Sequence, residues 1–297
     1  MNKKNLNIGY SGLALGITGA FNILKYLGRG NRFIELIFIG IALFLLLYLT
    51  IEFLKNKKHL TTEMMNKMNI SLLPTFLMTL ANISAHLEMK ALWLLTVGGH
   101  LLYGIFFYKK ILFKDSPLVS YYIPLVGIAV NIPHAHLFQM DILGRFLLLY
   151  GVIGYLIVSC RLIFYWKNFR TINPLPLLGI LCAPLSLCIQ GSFIYLDNLF
   201  LIKGALMLSL LTTFIVYLII PAILVTPFSL SWASLTFPTS AAAIAHLKGG
   251  FFLGSLKLII LGYCEISLSF MVLLIVSVGA FTNFFPRNND VSDQLNS

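Results

Sequence analysis

The side chains in this 297-residue chain with the chemistry for catalysis or metal binding are few: six histidines, ten carboxylates and four cysteines. His134 and His136 lie two apart in "NIPHAH" at 131–136, a spacing that offers two imidazoles to one ion from a strand or loop. No third ligand lies near them in sequence, so the pair is expected in a solvent-facing loop at a helix end, with no metal. Cys160, Cys182, Cys188 and Cys264 fall in or beside apolar runs with no Cys-x-x-Cys or Cys/His spacing, as small core residues do. No His-Glu-x-x-His, Gly-x-Ser-x-Gly or paired-aspartate motif is present, so the sequence offers no catalytic residue and implies no cofactor and no enzyme. Glu265 stands apart because it lies inside an apolar run, where an ionisable group is costly in lipid. It is the candidate for carrying a coupled proton; the competing reading makes it a polar contact at a helix or subunit boundary. Glu35, near the start of another run, is expected at the membrane interface.

The elements that must hold these groups are set by composition. With 59% hydrophobic and 10% charged residues and a mean hydropathy of +0.90, the chain is expected to be an all-α polytopic membrane protein. The net charge of +11 comes from short Lys/Arg clusters between apolar runs, which the positive-inside rule explains without a nucleic-acid partner. Runs of about 20 apolar residues give ten candidate spans, near 8–27, 33–54, 70–87, 90–108, 117–138, 142–165, 175–195, 199–224, 228–247 and 253–283. The first, behind Lys3 and Lys4, is long and glycine-rich without a clear small-x-small cleavage site, and is taken as a true span rather than a signal peptide. Residues 1–286 then form a single transmembrane domain, and 287–297 a short polar tail. With both termini in the cytoplasm, thirteen Lys and Arg fall inside and eight outside, which favours that orientation and, for a bacterial protein, the inner membrane.

The prolines deep in apolar runs are spaced: Pro74, Pro124, Pro184 and Pro238 fall in the third, fifth, seventh and ninth spans at separations of 50, 60 and 54 residues. One similar step back from Pro74 lies "SGLALGITGA", where Gly12, Gly16 and Gly19 offer a comparable weakness in the first span. A proline frees carbonyls and bends a helix, and inside a membrane those carbonyls must be met by protein or by water in a cavity. A breaker in every odd span describes five helical hairpins, whose odd helices would line a central path with the even helices outside; the sequence permits this closure without requiring it.

Four segments resemble the tellurite-resistance/dicarboxylate transporter family, which includes plant slow anion channels, bacterial tellurite-resistance proteins and yeast malate and sulfite exporters. They are "GLALGITGA" at 12–20, "YYIPLVGIAVNIP" at 121–133, "LLGILCAPLSLCIQGSF" at 177–193 and "PFSLSWASLTFPTSAAAIA" at 227–245. The resemblance runs along nearly the whole chain and implies ten helices, arranged as five hairpins around a pseudo-fivefold central pore and assembled as a homotrimer with one pore per protomer. It implies that Phe237, in the Phe-Pro position of the ninth span, plugs that pore, and that the substrates are small inorganic anions or C4-dicarboxylates, with tellurite resistance among the family's activities. The long termini of the plant members are missing, so their phosphorylation-based gating does not carry over.

On that implication, Ser234, Ser240 and Ala241 are small enough to leave a lumen beside the ring, Pro238 fixes the kink after it, and Gly16, Gly19, Pro74, Pro124 and Pro184 shape the other inner helices. No Asp or Glu lies in the interior of an odd span, as anion passage requires, and a buried Lys or Arg would bind the anion too tightly. His86 and His246, near the outer ends of their spans, would add pH sensitivity at the pore mouth. The alternative is a proton-coupled metabolite or drug exporter of a different ten-helix family, built from two inverted halves; its breakers would repeat half a chain apart.

Overall fold

The computed structural model describes residues 8–55, 66–169 and 173–284. The polar tail 287–297 lies outside them, as do Lys3 and Lys4. Among the described residues ten helical segments cross the fold: α1 (Gly9–Tyr26), α2 (Arg32–Lys55), α3 (Lys67–His86), α4 (Lys90–Leu112), α5 (119–137), α6 (Asp141–Phe164), α7 (Leu175–Tyr195), α8 (Leu199–Leu224), α9 (Ala233–Leu253) and α10 (Leu256–Phe284). The chain is thus an all-α polytopic membrane protein, with boundaries a few residues from those read from sequence.

Four of the hairpins turn in the same way. Gly28, Glu88, Gln139 and Gly254 follow α1, α3, α5 and α9 and take left-handed φ values of 68°, 58°, 57° and 62°. The next amide in each case reaches back five residues: Arg29 to Leu24 (2.9 Å), Met89 to Ser84 (2.8 Å), Met140 to Ala135 (2.8 Å) and Ser255 to Gly250 (2.9 Å). This is the Schellman closure, which satisfies the last carbonyls of a helix and reverses the chain within a few residues. Between α7 and α8 an extended Leu196 leads instead to Asn198, whose side chain caps α8 by accepting from the Leu201 amide at 3.1 Å.

The odd helices close a ring, since α1 packs on α3, α3 on α5, α5 on α7, α7 on α9, and α9 back on α1. Each even helix lies against its own hairpin partner and the next inner helix: α2 on α1 and α3, α4 on α3 and α5, α6 on α5 and α7, α8 on α7 and α9, α10 on α9 and α1. The pattern repeats with every hairpin, which two inverted halves would not produce. Burial follows it. In the most apolar windows 33% of residues are buried in α2, α4, α6 and α8 and 39% in α10, against 56% in α3 and 78% in α7. The outer helices turn Phe44, Leu102, Leu211, Leu218 and Leu274 outward, an apolar belt suited to lipid.

The breakers act unequally. α3 is interrupted at Leu73, so that Pro74 starts a new helix. Pro124 sits in a five-residue helical piece followed by a 3-10 stretch, Gly127–Asn131. Pro184 is the second residue of the α-helical half of α7, after the 3-10 run Leu175–Cys182. Two inner helices are not interrupted: Pro238 lies within an unbroken helical run, and α1 is continuous through its glycines. Gly12, Gly16 and Gly19 instead face α9, where added Cβ atoms would meet Ala233, Thr236 and Phe237. Gly16 and Gly19 thus allow a close approach of α1 to α9.

A comparable approach joins α5 and α6, where a Cβ on Gly154 would lie 2.9 Å from the Leu125 carbonyl oxygen. Backbone cannot swing aside as a side-chain end can, so Gly154→Ala is expected to destabilise the fold by about 1–3 kcal/mol. Thermal unfolding in detergent checks this, with Gly40→Ala, which meets nothing within 4 Å, expected to match the wild type.

Candidate functional site

Two cavities lie along the ring axis. The first, about 270 Å³, opens among the N-terminal ends of the inner helices and draws on all five, with Gly12, Thr75, Tyr122, Pro184 and Ser234 among its walls. The second, about 220 Å³, lies towards their C-terminal ends between α1, α5, α7 and α9. Phe237 and Leu187 border both cavities and are the two residues their linings share.

The placement of Phe237 follows from its neighbours. The ring is 6% exposed and lies against α1 at Gly19, where a Cβ would come within 2.9 Å of its Cδ2. One turn earlier, Gly16 leaves room for Thr236. The hydroxyls around it on α9 are held by their own helix: Thr236 donates to the Ala233 carbonyl at 2.8 Å, Thr239 to Leu235 at 2.9 Å and Ser240 to Thr236 at 3.1 Å. Ser234 donates across to the Pro176 carbonyl of α7 at 2.5 Å, and the Gln190 amide to the Ala241 carbonyl at 3.1 Å. These bonds fix the registers of α7 and α9, and so the position of the ring between the cavities.

Of the other residues singled out by sequence, Pro184, Ser234 and Pro238 line the first cavity, and Gly19, Ser240 and Ala241 the second. Gly16, Pro74 and Pro124 line neither; they act in packing and helix interruption. Leu187 carries no sequence signal beyond its position three residues after Pro184. Lys25 and Lys248, which line the second cavity, stand out in sequence only as cations near the ends of the first and ninth spans. Among the described residues no carboxylate lines either cavity.

Glu265 is away from both cavities. Its Oε2 lies 2.7 Å from Nδ1 of His246, whose Nε2 is 3.0 Å from the Ser209 hydroxyl. Ser209 in turn is 2.8 Å from Ser186, which donates to the Cys182 carbonyl at 2.6 Å. This chain ties α10, α9, α8 and α7 together. His246 is therefore fully buried rather than at a mouth, because α9 continues to Leu253 beyond it.

Glu35, in the first turn of α2, is buried and engaged by Arg32 at 2.7 Å and His86 at 3.3 Å. His134 and His136 belong to a helix, Ile132–Leu137, rather than a loop, and turn to different partners, Asn82 at 2.9 Å and Asp141 at 2.9 Å. Cys182 and Cys188 are buried, whereas Cys160 and Cys264 are exposed, on the outer helices α6 and α10.

Five inner helices ringed by five outer ones with outward apolar faces, and two cavities among the inner helices, are the architecture of a helical membrane channel or transporter. The model of the voltage-dependent anion channel family, SLAC1, matches residues 5–284, and the chain belongs to that family. No curated protein matches it. The protein is accordingly a multi-pass integral membrane anion channel or transporter.

Proposed function

We propose that small anions cross the membrane along the axis of the inner ring and that Phe237, seated beside Leu187, holds this path closed. The observation that carries the reading is that Phe237 borders both axial cavities and lies between them. A ring at a constriction excludes hydrated ions sterically and by dewetting, and a rotamer change or a slight helix shift suffices to move it. The substrates are small inorganic anions, C4-dicarboxylate-type anions or both, and tellurite resistance is an activity that the family resemblance attaches to the same path. The transmembrane unit comprises residues 1–286. It works as a homotrimer in a bacterial inner membrane with both termini cytoplasmic, so that the first cavity faces the cytoplasm.

A second reading, an anion carrier coupled to protons, is supported by the buried contact between Glu265 and His246. In liposomes the purified protein is expected to dissipate chloride, nitrate or malate gradients and to leave a potassium gradient standing. Anion flux missing from both the wild type and Phe237→Ala would overturn the conduit. Acidification of the lumen that tracks anion entry would decide for the carrier.

A further inference from the structure

The two axial cavities differ in charge. The cavity at the N-terminal ends of the inner helices has no Lys, Arg or His in its lining. The other is lined by Lys25 near the end of α1, Lys248 on α9 and His134 on α5. Lys248 is half-buried, and its ammonium lies 5.2 Å from the centre of the Tyr26 ring, a contact that orients a cation without cancelling its charge. Among the described residues neither lysine has an ion-pair partner, and His134 lines the same cavity. Glu35, which does not line the cavity, is engaged by Arg32 and His86. The cavity therefore holds two uncompensated positive charges beside the amides of Asn22 and Gln190.

We propose that Lys25 and Lys248 form an anion-capture site in this cavity and make entry faster from that side than from the other. As a route to conduction the proposal rests on the conduit read above; as a binding site it stands independently. Ammonium groups are compact point charges without the bidentate fork of a guanidinium, so the site selects charge rather than shape and takes halides, nitrate and carboxylates alike. A cluster of like charge in a low-dielectric mouth concentrates counter-ions, and an effect of that origin weakens as salt rises.

Two measurements test it. In planar bilayers, with Phe237→Ala as the conducting background, anion current entering from the lysine side is expected to exceed that from the opposite side by about threefold in roughly 20 mM chloride and to equalise near 1 M. Lys25→Gln with Lys248→Gln should abolish the asymmetry, and Lys25→Arg with Lys248→Arg should restore it, which also guards against a glutamine pair that fails to fold. In crystals grown with bromide, an anomalous peak is expected between the two lysines and should vanish in the glutamine pair. Bromide bound there without anion current would keep the site and overturn the conduit. Symmetric current unchanged by the glutamine pair, or no bromide at the lysines, would overturn the site.

Discussion

Phe237→Ala is expected to raise single-protomer anion conductance about tenfold or more over the wild type, because a dry aromatic constriction becomes a path lined by small side chains. A size series sharpens the expectation. Phe237→Leu should conduct at an intermediate level, Phe237→Trp should stay closed, and Leu187→Ala should add to the effect of Phe237→Ala because it opens the facing wall of the same constriction. Gly19 lets α1 press against the ring, and Thr236, Thr239 and Ser240 each donate to a carbonyl of α9 itself. A well-folded Phe237→Ala protein with wild-type conductance in bilayers would remove Phe237 from the gate.

His246→Ala should have the largest effect on stability. It strips the carboxyl of Glu265, 3% exposed, of its partner at 2.7 Å and also breaks the link to Ser209. Leaving such a group buried and unpaired costs about 3 kcal/mol, which corresponds to an apparent melting temperature lower by roughly 6–10 °C. The double variant His246→Ala/Glu265→Ala should lose less than the sum of the two single variants, since it leaves no orphaned carboxyl. Monodispersity against temperature in detergent provides the measurement. Additive losses would mean that the two side chains do not depend on each other.

The architecture was written in the sequence as a phase. Pro74, Pro124, Pro184 and Pro238 mark one inner helix each, where packed neighbours can satisfy the backbone groups a proline frees; of the outer helices only α8 carries an internal proline among the described residues, Pro221 near its end. Hydropathy carries the same distinction: the seven helices apolar enough to span by composition include every outer one, and α1, α5 and α9, which fall short, are all inner.

What the glycines of α1 do was not visible, because close packing and helix weakness use the same residue, and only the facing element, more than 200 positions away, tells them apart. Lys25 and Lys248 were hidden for a related reason. A lysine near a span end looks like a topology signal until the neighbouring helices show that both side chains enter one cavity. Glu265 was noticed for its cost in lipid, but its partner His246 was misjudged because α9 runs six residues past the end expected for it. The position of the Phe237 ring between the cavities needed the structure; the sequence alone supplied a resemblance.

The tight Schellman turns have a consequence for biogenesis. Hairpins closed within a few residues form their internal contacts early and locally, whereas closure of the inner ring waits for α9 to reach α1, where Thr236 meets the Gly12 carbonyl across 224 residues at 3.4 Å. Synthesis from the N-terminus thus delivers four hairpins as an open arc before the fifth arrives, and Phe237 is carried in by the same hairpin that completes the ring. At no stage of assembly does the membrane hold a finished inner ring without Phe237 in place.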